Sequence, residues 1–449
     1  MMDRSFNKYI FLCIVLIATL LTNLKAQETL PINLEKVLEL GGANNLTIKK
    51  LELKKQLAKN NLTKSKEWWL PEIYAGVKTH NLRGSVMNGN GNFFLDVNRN
   101  NLWAGLGIDA SWDFSSGIYQ NKVAAFKTKA IGYKTETERN KSILLIVDTY
   151  YDFVTAQLGF QAYQLLANQS DSISAQLQIQ VESGLAYQSE LLLAKSNTNH
   201  LKIEMLNKKI EYRKASAQLV KLLNLDPTLK LAGVDTLMVP LIDFSNESEL
   251  NFESAYENRS ELKEANALIE GLEMEKKTAT TGLLFPELRL NTYASGFGSM
   301  SGNVSPMDQL SYPQTNQVYP TSALNVSLMW KVPLARLIYS GDIKQYNSKI
   351  QIQQIALDEV KANINEEISA TNSIITITVE QMEIASEGSE LAKKALSQCI
   401  QRQKLGTVRP FEILQAQEVF IKSKLDYFKS ISEFNKAQFQ LKVAKGESL

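Results

Sequence analysis

The sequence predicts a mixed α and β chain in which one pattern of helices and strands occurs twice. Three observations predict this fold class. Two similar glycine turns each lie between long segments of helical periodicity. Two other segments alternate between apolar and mostly polar residues, and one helix-to-strand junction is found in both halves of the 449 residues. Because the three features follow one another in the same order each time, they indicate an internal two-fold repeat.

The two glycine turns share their spacing. Gly184 and Gly406 are each followed six positions later by a glutamate, Glu190 or Glu412, then by two apolar residues, one variable position and alanine. Glycine permits the left-handed backbone that ends one helix, and Pro410 suits the first turn of the next. Each turn therefore predicts the tip of a long antiparallel helical hairpin.

The N-terminal residues 1–26 have the pattern of a signal peptide. Arg4 and Lys8 form its basic part, an apolar run covers residues 9–21, and Ala26 is the expected cleavage position. The apolar run is too short to span a bilayer comfortably. We therefore expect the protein to be exported.

The composition restricts the partners and the means of stabilisation. The chain is 44% hydrophobic and 21% charged with a formal charge of +2, which argues against nucleic acid as a partner. Cys399 is the only cysteine after residue 26, so no internal disulfide is expected. No later stretch has the roughly 18 consecutive apolar residues of a membrane helix. Contact with a membrane would require strands or a surface helix.

The first predicted repeat covers residues 27–228 and begins with helix. Residues 32–69 have helical spacing, and Gly41-Gly42 is expected to divide them into a short and a longer helix, the longer one with a lysine-rich, solvated face. Pro71 disfavours helix at Leu70, so an extended segment is predicted over 72–83. A Gly/Asn-rich loop is predicted over 84–101.

A strand predicted over 102–113 is the most diagnostic pattern of this half. Apart from Trp103, its apolar and polar residues alternate. The apolar face contains Leu102, Ala104, Leu106, Ile108, Ala110 and Trp112. This length suits a tilted strand that crosses a bilayer, although a strand of a soluble sandwich would alternate in the same way.

Two helices complete the first repeat. Helix is predicted over 118–183, which at about 1.5 Å per residue is on the order of 100 Å, and a returning helix over 189–223. Such a length exceeds a compact globular domain. Residues 229–249 are then expected to form an irregular linker.

The second predicted repeat covers residues 250–449. Its junction Leu284-Phe285-Pro286-Glu287-Leu288 corresponds to Trp69-Leu70-Pro71-Glu72-Ile73. The predicted elements are a helix over 252–281, a strand to 295, a loop over 296–321, a strand over 323–332, a long helix from 340 to the second tip, and a returning helix over 412–445. Four strands alone cannot close a barrel, and open edges in a bilayer would leave backbone groups unpaired. Three copies would supply twelve strands, an even number within the range that leaves a lumen.

With these features together, the sequence resembles the TolC family of trimeric outer-membrane efflux proteins over nearly the whole mature chain. The resemblance rests on the repeat, on Leu70-Pro71 and Phe285-Pro286, and on the paired tips Gly184-Leu185 with Glu190 and Gly406-Thr407 with Glu412. It implies a homotrimer with a twelve-stranded barrel in outer-membrane lipid and a long periplasmic α-helical coiled-coil tunnel. Such a protein is the passive exit duct of a tripartite efflux or type I secretion system, joined to an inner-membrane pump through a periplasmic adaptor.

The resemblance also implies where the functional residues lie. The adaptor would dock at the tips, which here are Ser183, Gly184, Leu185, Leu405, Gly406 and Thr407. Glu412 matches a pore-constricting aspartate of the family, and Glu190 has the equivalent position in the first tip. Gln415 stands where a second aspartate can occur. Val408 stands where a basic locking partner can occur, with Arg409 adjacent, so the sequence leaves open whether salt bridges lock the gate.

Simpler interpretations exist for several of these residues. Glu190 and Glu412 also fit ordinary first-turn carboxylates favoured by the helix dipole. The tryptophans on the alternating strands fit a protein core as well as a membrane-interface girdle, the latter favoured by their positions. These tryptophans are Trp103, Trp112 and Trp330.

No pattern of catalytic or metal-binding residues is found. His80 and His200 are isolated, and no nucleophile-base pair, phosphate loop or metal-ligand spacing is present, so neither an enzyme nor a cofactor is predicted. The alternative to the channel is a periplasmic coiled-coil adaptor or structural protein with a small soluble β-domain.

Overall fold

A computed structural model describes residues 29–87, 93–234, 239–241, 252–303, 318–332, 334, 340–405, 410–447 and 449. The predicted signal peptide lies outside these residues. The protein is mostly helical with a smaller sheet part. In chain order the elements are β1 (Thr29–Ile32), α1 (Leu34–Asn44), α2 (Leu46–Lys66), β2 (Glu72–Met87), β3 (Phe93–Asp113), α3 (Phe114–Glu182), α4 (Gln188–Leu222), β4 (Lys230–Gly233), α5 (Phe252–Asn258), α6 (Ser260–Thr278), β5 (Glu287–Asn303), β6 (Val318–Met329), α7 (Gly341–Lys404) and α8 (Pro410–Ala444).

The chain forms two compact units. The hairpin unit contains residues up to Leu53, Lys134–Leu262 and Glu359–Leu449, and the strand unit contains Lys54–Tyr133 and Lys263–Asp358. Each unit combines segments from both predicted sequence repeats. The repeat boundaries at 27–228 and 250–449, and the linker 229–249 between them, stay a prediction.

The strand unit contains one antiparallel sheet with the order β2-β3-β5-β6. Its register confirms the predicted alternation, because apolar residues of neighbouring strands pair with one another. Ile108 pairs with Ile73, and Leu106 pairs with Ala75 on one side and Ala294 on the other. The Leu106 and Leu328 side chains are 62% and 71% exposed. The chain itself therefore leaves the apolar face of this sheet uncovered.

Two predicted loops are shorter than the sequence indicated. Strand β2 continues to Met87 and β3 begins at Phe93, so most of the predicted loop 84–101 is strand. Likewise β5 runs to Asn303 and β6 starts at Val318. Glycine and asparagine suggested turns, but hydrogen bonds to adjacent strands outweigh this preference over most of the first segment and at both ends of the second.

The helix-to-strand junctions have the same hydrogen bond in both halves. The Trp112 indole N–H donates to the carbonyl oxygen of Trp69 at 2.6 Å, and the Trp330 indole N–H donates to that of Leu284 at 3.2 Å. Each acceptor lies two residues before the junction proline, at Pro71 or Pro286. The two junctions are therefore built with the same contact.

The hairpin unit has a core formed mainly by α3 and α4. Tyr150, Phe153 and Leu219 are fully buried there. The short parallel pair of β1 and β4 adds Ile32 and Leu231 to the same core. The sequence predicted an irregular segment over 229–249, but β4 lies within its first residues. The sequence did not reveal β4, because a strand of four residues is too short to show alternation and its partner β1 lies about 200 positions away.

The break between the first two helices lies at Asn45, so the predicted division at Gly41-Gly42 is wrong. The Asn45 side-chain oxygen accepts from the N–H groups of Thr47 and Ile48 at 2.8 and 3.2 Å, which caps α2. Gly41 lies inside α1 because it packs closely on α3. A Cβ atom at Gly41 would lie 2.8 Å from Ile146 Cδ1.

Arg259 holds the end of α8 through a buried guanidinium. Its side chain is 5% exposed, forms ion pairs with Glu261 and Glu367 at 3.0 and 2.8 Å, and donates to the carbonyl oxygens of Val443 and Ala444. Because Glu367 is half exposed, the main loss on removal of Arg259 is the donor to the two carbonyl oxygens at the end of α8. Hydrogen bonds of a charged group contribute about 1.5 to 3 kcal/mol, so we expect Arg259→Ala to lower the free energy of unfolding by about 2 kcal/mol. Denaturant unfolding measures this, with exposed Lys141→Ala as the control that should change little.

Asp148 makes the stability of the hairpin unit depend on pH. Burial raises the pKa of its carboxyl to about 6, helped by the nearby Asp152 and Glu433 and opposed by Lys436. The Lys436 ammonium bonds Asp152 at 2.6 Å and Glu433 at 3.4 Å, while Asp148 Oδ1 is buried without a hydrogen bond among the described residues. The folded protein therefore binds the Asp148 proton more tightly than the unfolded chain does.

Because the native pKa of Asp148 is raised, its contribution to stability falls as pH rises from 3.8 to about 6. We expect Asp148→Asn to stabilise the protein at pH 8 and to lose this advantage near pH 4. Thermal unfolding of both proteins across this range tests the prediction. A difference between them that does not vary with pH would contradict it.

Candidate functional site

The first helical tip is closed by Gly184. Helix α3 ends at Glu182, and Gly184 has the predicted positive φ of +75°. The N–H of Leu185 donates to the Gln180 carbonyl at 2.8 Å, and the N–H of Gly184 donates to the Val181 carbonyl at 3.0 Å. This pair of bonds is the Schellman motif, which satisfies the last carbonyl groups of the helix.

Glu190 lies in the first turn of α4, where it has a structural role. Its Oε2 accepts from the backbone N–H of Tyr187 at 3.3 Å, which is one half of a capping box. The half-buried carboxylate also lies at the positive end of the helix dipole. The geometry therefore fits the simpler interpretation of Glu190, and a role in the pore stays a prediction.

The second tip lies between Lys404 and Pro410. The predicted docking residues Gly406 and Thr407, with Val408 and Arg409, lie outside the described residues. Leu405 is described, and its side chain is 77% exposed.

Glu412 has a basic partner that the sequence reasoning missed. Arg402 Nη1 lies 3.6 Å from Glu412 Oε2, across the tip from α7 to α8. The sequence pointed to positions 408 and 409 after the turn, whereas the antiparallel hairpin brings Arg402 of the preceding helix beside Glu412. Both side chains are about half exposed, so the pair contributes at most about 1 kcal/mol.

The core below the tips contains several polar side chains. The Thr198 hydroxyl lies 2.8 Å from that of Ser170 and 3.1 Å from that of Ser174, and Asn197 donates to Gln417 at 3.1 Å. Apolar residues such as Ile413 are buried in the same region. A long-range hydrogen bond from Gln180 Nε2 to the Gln403 carbonyl, at 3.5 Å, joins the two hairpins near their tips.

The tips expose large apolar side chains. Leu185 is 82% exposed although the residue after a Schellman glycine often packs on its own helix, and Tyr187, Leu405 and Phe411 are also exposed. Gln415 is exposed and lines a groove of about 660 Å³ between α4 and α8, together with His200 and Phe411. Apolar residues grouped in this way at the end of a helical bundle are typical of a protein interaction surface.

The described residues contain no helix with the length and apolarity needed to cross a membrane. Among the same residues, no three His, Cys, Asp or Glu side chains are grouped as metal ligands would be.

Comparison with solved structures identifies the fold. The chain is similar to the CmeC outer membrane channel of Campylobacter jejuni, at 14% identity and TM-score 0.70, over 92% of this chain and 85% of that one. It is similar to the outer membrane protein VceC of Vibrio cholerae, at 12% identity and TM-score 0.69, over 92% and 96%. The open state of the MtrE outer membrane channel of Neisseria gonorrhoeae matches at 13% identity and TM-score 0.68, over 93% and 89%.

These matches confirm the predicted resemblance in fold. No protein-family model and no curated protein sequence matches the chain. At such low identities the likeness concerns the fold, and it extends over the strands as well as the helical hairpins.

Proposed function

We propose that this chain, which has the fold of the TolC-like outer-membrane channels, forms a homotrimer in the outer membrane and serves as the passive exit duct of a tripartite efflux or type I secretion system. The observation that carries the proposal is an open four-stranded sheet with an uncovered apolar face, attached to long helical hairpins. The likeness to outer-membrane channels over more than nine-tenths of the chain supports it.

Self-association follows from the edges of the sheet. Strands β2 and β6 each have one neighbour in the described sheet, so their outer backbone groups need partners in a bilayer. Pairing of β6 from one copy with β2 of the next supplies those partners. Three copies close a twelve-stranded barrel, which leaves a lumen lined by the polar face.

The helices of the hairpin unit also have unpartnered apolar rows. Ile377, Ile384 and Leu391 on α7 are exposed and follow one another at seven-residue spacing, and Ile203, Leu206 and Ile210 form a second exposed row on α4. A seven-residue repeat is typical of a coiled-coil seam. Burial of these rows against other copies would extend the barrel into a helical tunnel in the periplasm.

The tips are the proposed docking surface for a periplasmic adaptor, which would connect the channel to an inner-membrane pump. The surface includes Ser183, Gly184, Leu185, Leu405, Gly406 and Thr407. Exposed apolar side chains beside a glycine-closed turn supply contact area for a helical partner. The pump supplies the energy for transport, so the proposal assigns no catalytic residue to this chain.

The glutamates of the tips give the pore entrance its proposed selectivity. In a trimer, Glu190 and Glu412 would each form a ring of three carboxylates near the periplasmic mouth, and Gln415 lies one turn further along α8. Rings of carboxylates in a pore favour the passage of cations. We expect Glu412→Gln to lower cation selectivity and to weaken block by trivalent cations in planar bilayers. Glu190→Gln should have a smaller effect, because its carboxylate is engaged in a helix cap. Unchanged selectivity in the double variant would leave both residues only their structural roles.

Fractionation of cells tests the proposed location. An outer-membrane trimer should stay in the membrane fraction after a high-salt wash and migrate differently on gels before and after heating. The alternative, a periplasmic adaptor or structural protein with a soluble β-domain, predicts release by the wash and no change of migration with heat.

A further inference from the structure

The sheet has a row of polar side chains at the end that lies away from the helices. Asn81 and Arg83 on β2 pair in register with Asn100 and Asn98 on β3. All four side chains are exposed, and Asn81 Nδ2 donates to Asn100 Oδ1 at 2.6 Å. We refer to these four residues as the outer polar row.

The outer polar row continues the apolar face of the sheet beyond its last apolar residues. Successive pairs on that face of β2 and β3 are Ile73 with Ile108, Ala75 with Leu106, Val77 with Ala104 and Thr79 with Leu102. The next pair, two residues further, is Asn81 with Asn100. The same face thus changes from the apolar pair Val77 with Ala104 to the polar pair Asn81 with Asn100 through one mixed pair, Thr79 with Leu102.

The position of this change matches the height of a bilayer. From Trp112 to Leu102, β3 rises about 33 Å, and a tilt near 40° reduces this to about 25 Å across the membrane. This is about the height of the apolar band on outer-membrane barrels. Asn100 and Asn98 therefore lie just beyond the hydrocarbon, on the side opposite the helices.

We propose that the outer polar row binds the phosphorylated sugar headgroup of outer-leaflet lipopolysaccharide. This inference rests on the proposed function, because a face that meets lipid tails must meet headgroups where it continues outward. The planar guanidinium of Arg83 suits a phosphate group, which it can bind through two parallel hydrogen bonds. Asparagine amides both donate and accept, as sugar hydroxyls require.

Arg83 carries the one positive charge among the four residues of this row, and its side chain is exposed. Lys78 supplies a matched control, since it is an exposed cation on the same strand, but its pairing with Trp103 places it on the opposite, lumen face. Arg83 thus lies on the face that we assign to lipid, and Lys78 lies on the face that we assign to the lumen.

The test measures binding to the purified full-length trimer in detergent by native mass spectrometry. The ligand is purified lipopolysaccharide, and the comparison ligands are dephosphorylated lipopolysaccharide, phosphatidylglycerol and inorganic phosphate. We expect intact lipopolysaccharide to bind best and Arg83→Ala to weaken its binding about tenfold. Asn98→Ala should weaken it less, and Lys78→Ala should leave it unchanged.

Three results would overturn the inference: no binding of lipopolysaccharide, an equal loss in Lys78→Ala, or equal binding after removal of the phosphates. Preference for inorganic phosphate or phosphatidylglycerol would also contradict the assignment to a lipopolysaccharide headgroup. Conductance in bilayers free of lipopolysaccharide separates this inference from the proposed function. A conducting protein that fails to bind lipopolysaccharide disproves the outer polar row alone, whereas a protein that neither conducts nor enters membranes disproves the proposed channel.

Discussion

Replacement of Ile108 by arginine is expected to block assembly of the protein in the outer membrane. Ile108 pairs with Ile73 in the middle of the apolar face, where we place it near the centre of the bilayer. An arginine on the lipid face at that depth costs about 2 to 4 kcal/mol, and a trimer incurs this cost three times. Membrane fractionation and unheated gels should show the trimer lost and the chain degraded or misassembled.

Asp109→Arg is the matched control for this experiment. Asp109 is the next residue on β3, at nearly the same depth, and it belongs to the polar face, where it pairs with Glu72. An arginine there would lie beside a carboxylate in a wet lumen, so the trimer should assemble normally. Assembly of Ile108→Arg together with failure of Asp109→Arg would reverse the assignment of the two faces.

Substitution of Gly184 by valine is expected to abolish transport without loss of the trimer. Gly184 has a φ of +75°, which a β-branched residue adopts at a cost of about 1 to 2 kcal/mol or by moving the turn. Either response displaces Leu185 and its exposed neighbours from the proposed adaptor surface. Export by intact cells measures the loss, and quantification of the trimer in the outer membrane shows whether assembly is preserved.

Gly132→Val is the corresponding control in the long helix α3. A side chain at Gly132 meets open space, its backbone is helical, and it lies outside the exposed rows of α4 and α7 that we propose to meet other copies. Transport should therefore stay close to that of the unmodified protein. A parallel fall of trimer and transport in Gly184→Val would assign the tip glycine a purely structural role.

The sequence predicted the long helices well because their periodicity extends over many turns. The ends of α3 and α4 were predicted within a few residues, since Gly184 and Asn224-Leu225-Asp226-Pro227 stop helices for local reasons. The alternation of β3 likewise gave the correct apolar face. These features depend on residues close together in the chain.

The errors concern features that depend on distant partners. Gly41 is helical because α1 packs on Ile146, which lies about 100 residues away, and the Asn45 side chain that ends this helix donates to the carbonyl oxygen of Leu222, 177 positions away. The strand pair of β1 and β4 joins residues about 200 positions apart. Local propensity favoured loops in both β-hairpins, whereas hydrogen bonding between strands extends them.

The candidate site was predicted where a motif determines backbone geometry and missed where side chains meet across a turn. Gly184 has the positive φ that its motif requires. Arg402 was overlooked as the partner of Glu412, because a pairing between two helices has no signature in either helix alone.

The most direct test of the proposed function is the conductance of the purified full-length protein in planar bilayers. The proposal predicts stepwise increases of current as single trimers insert, with a preference for cations. Absence of any conductance, from protein that remains trimeric and folded by circular dichroism, would contradict the proposal that this chain forms an outer-membrane channel.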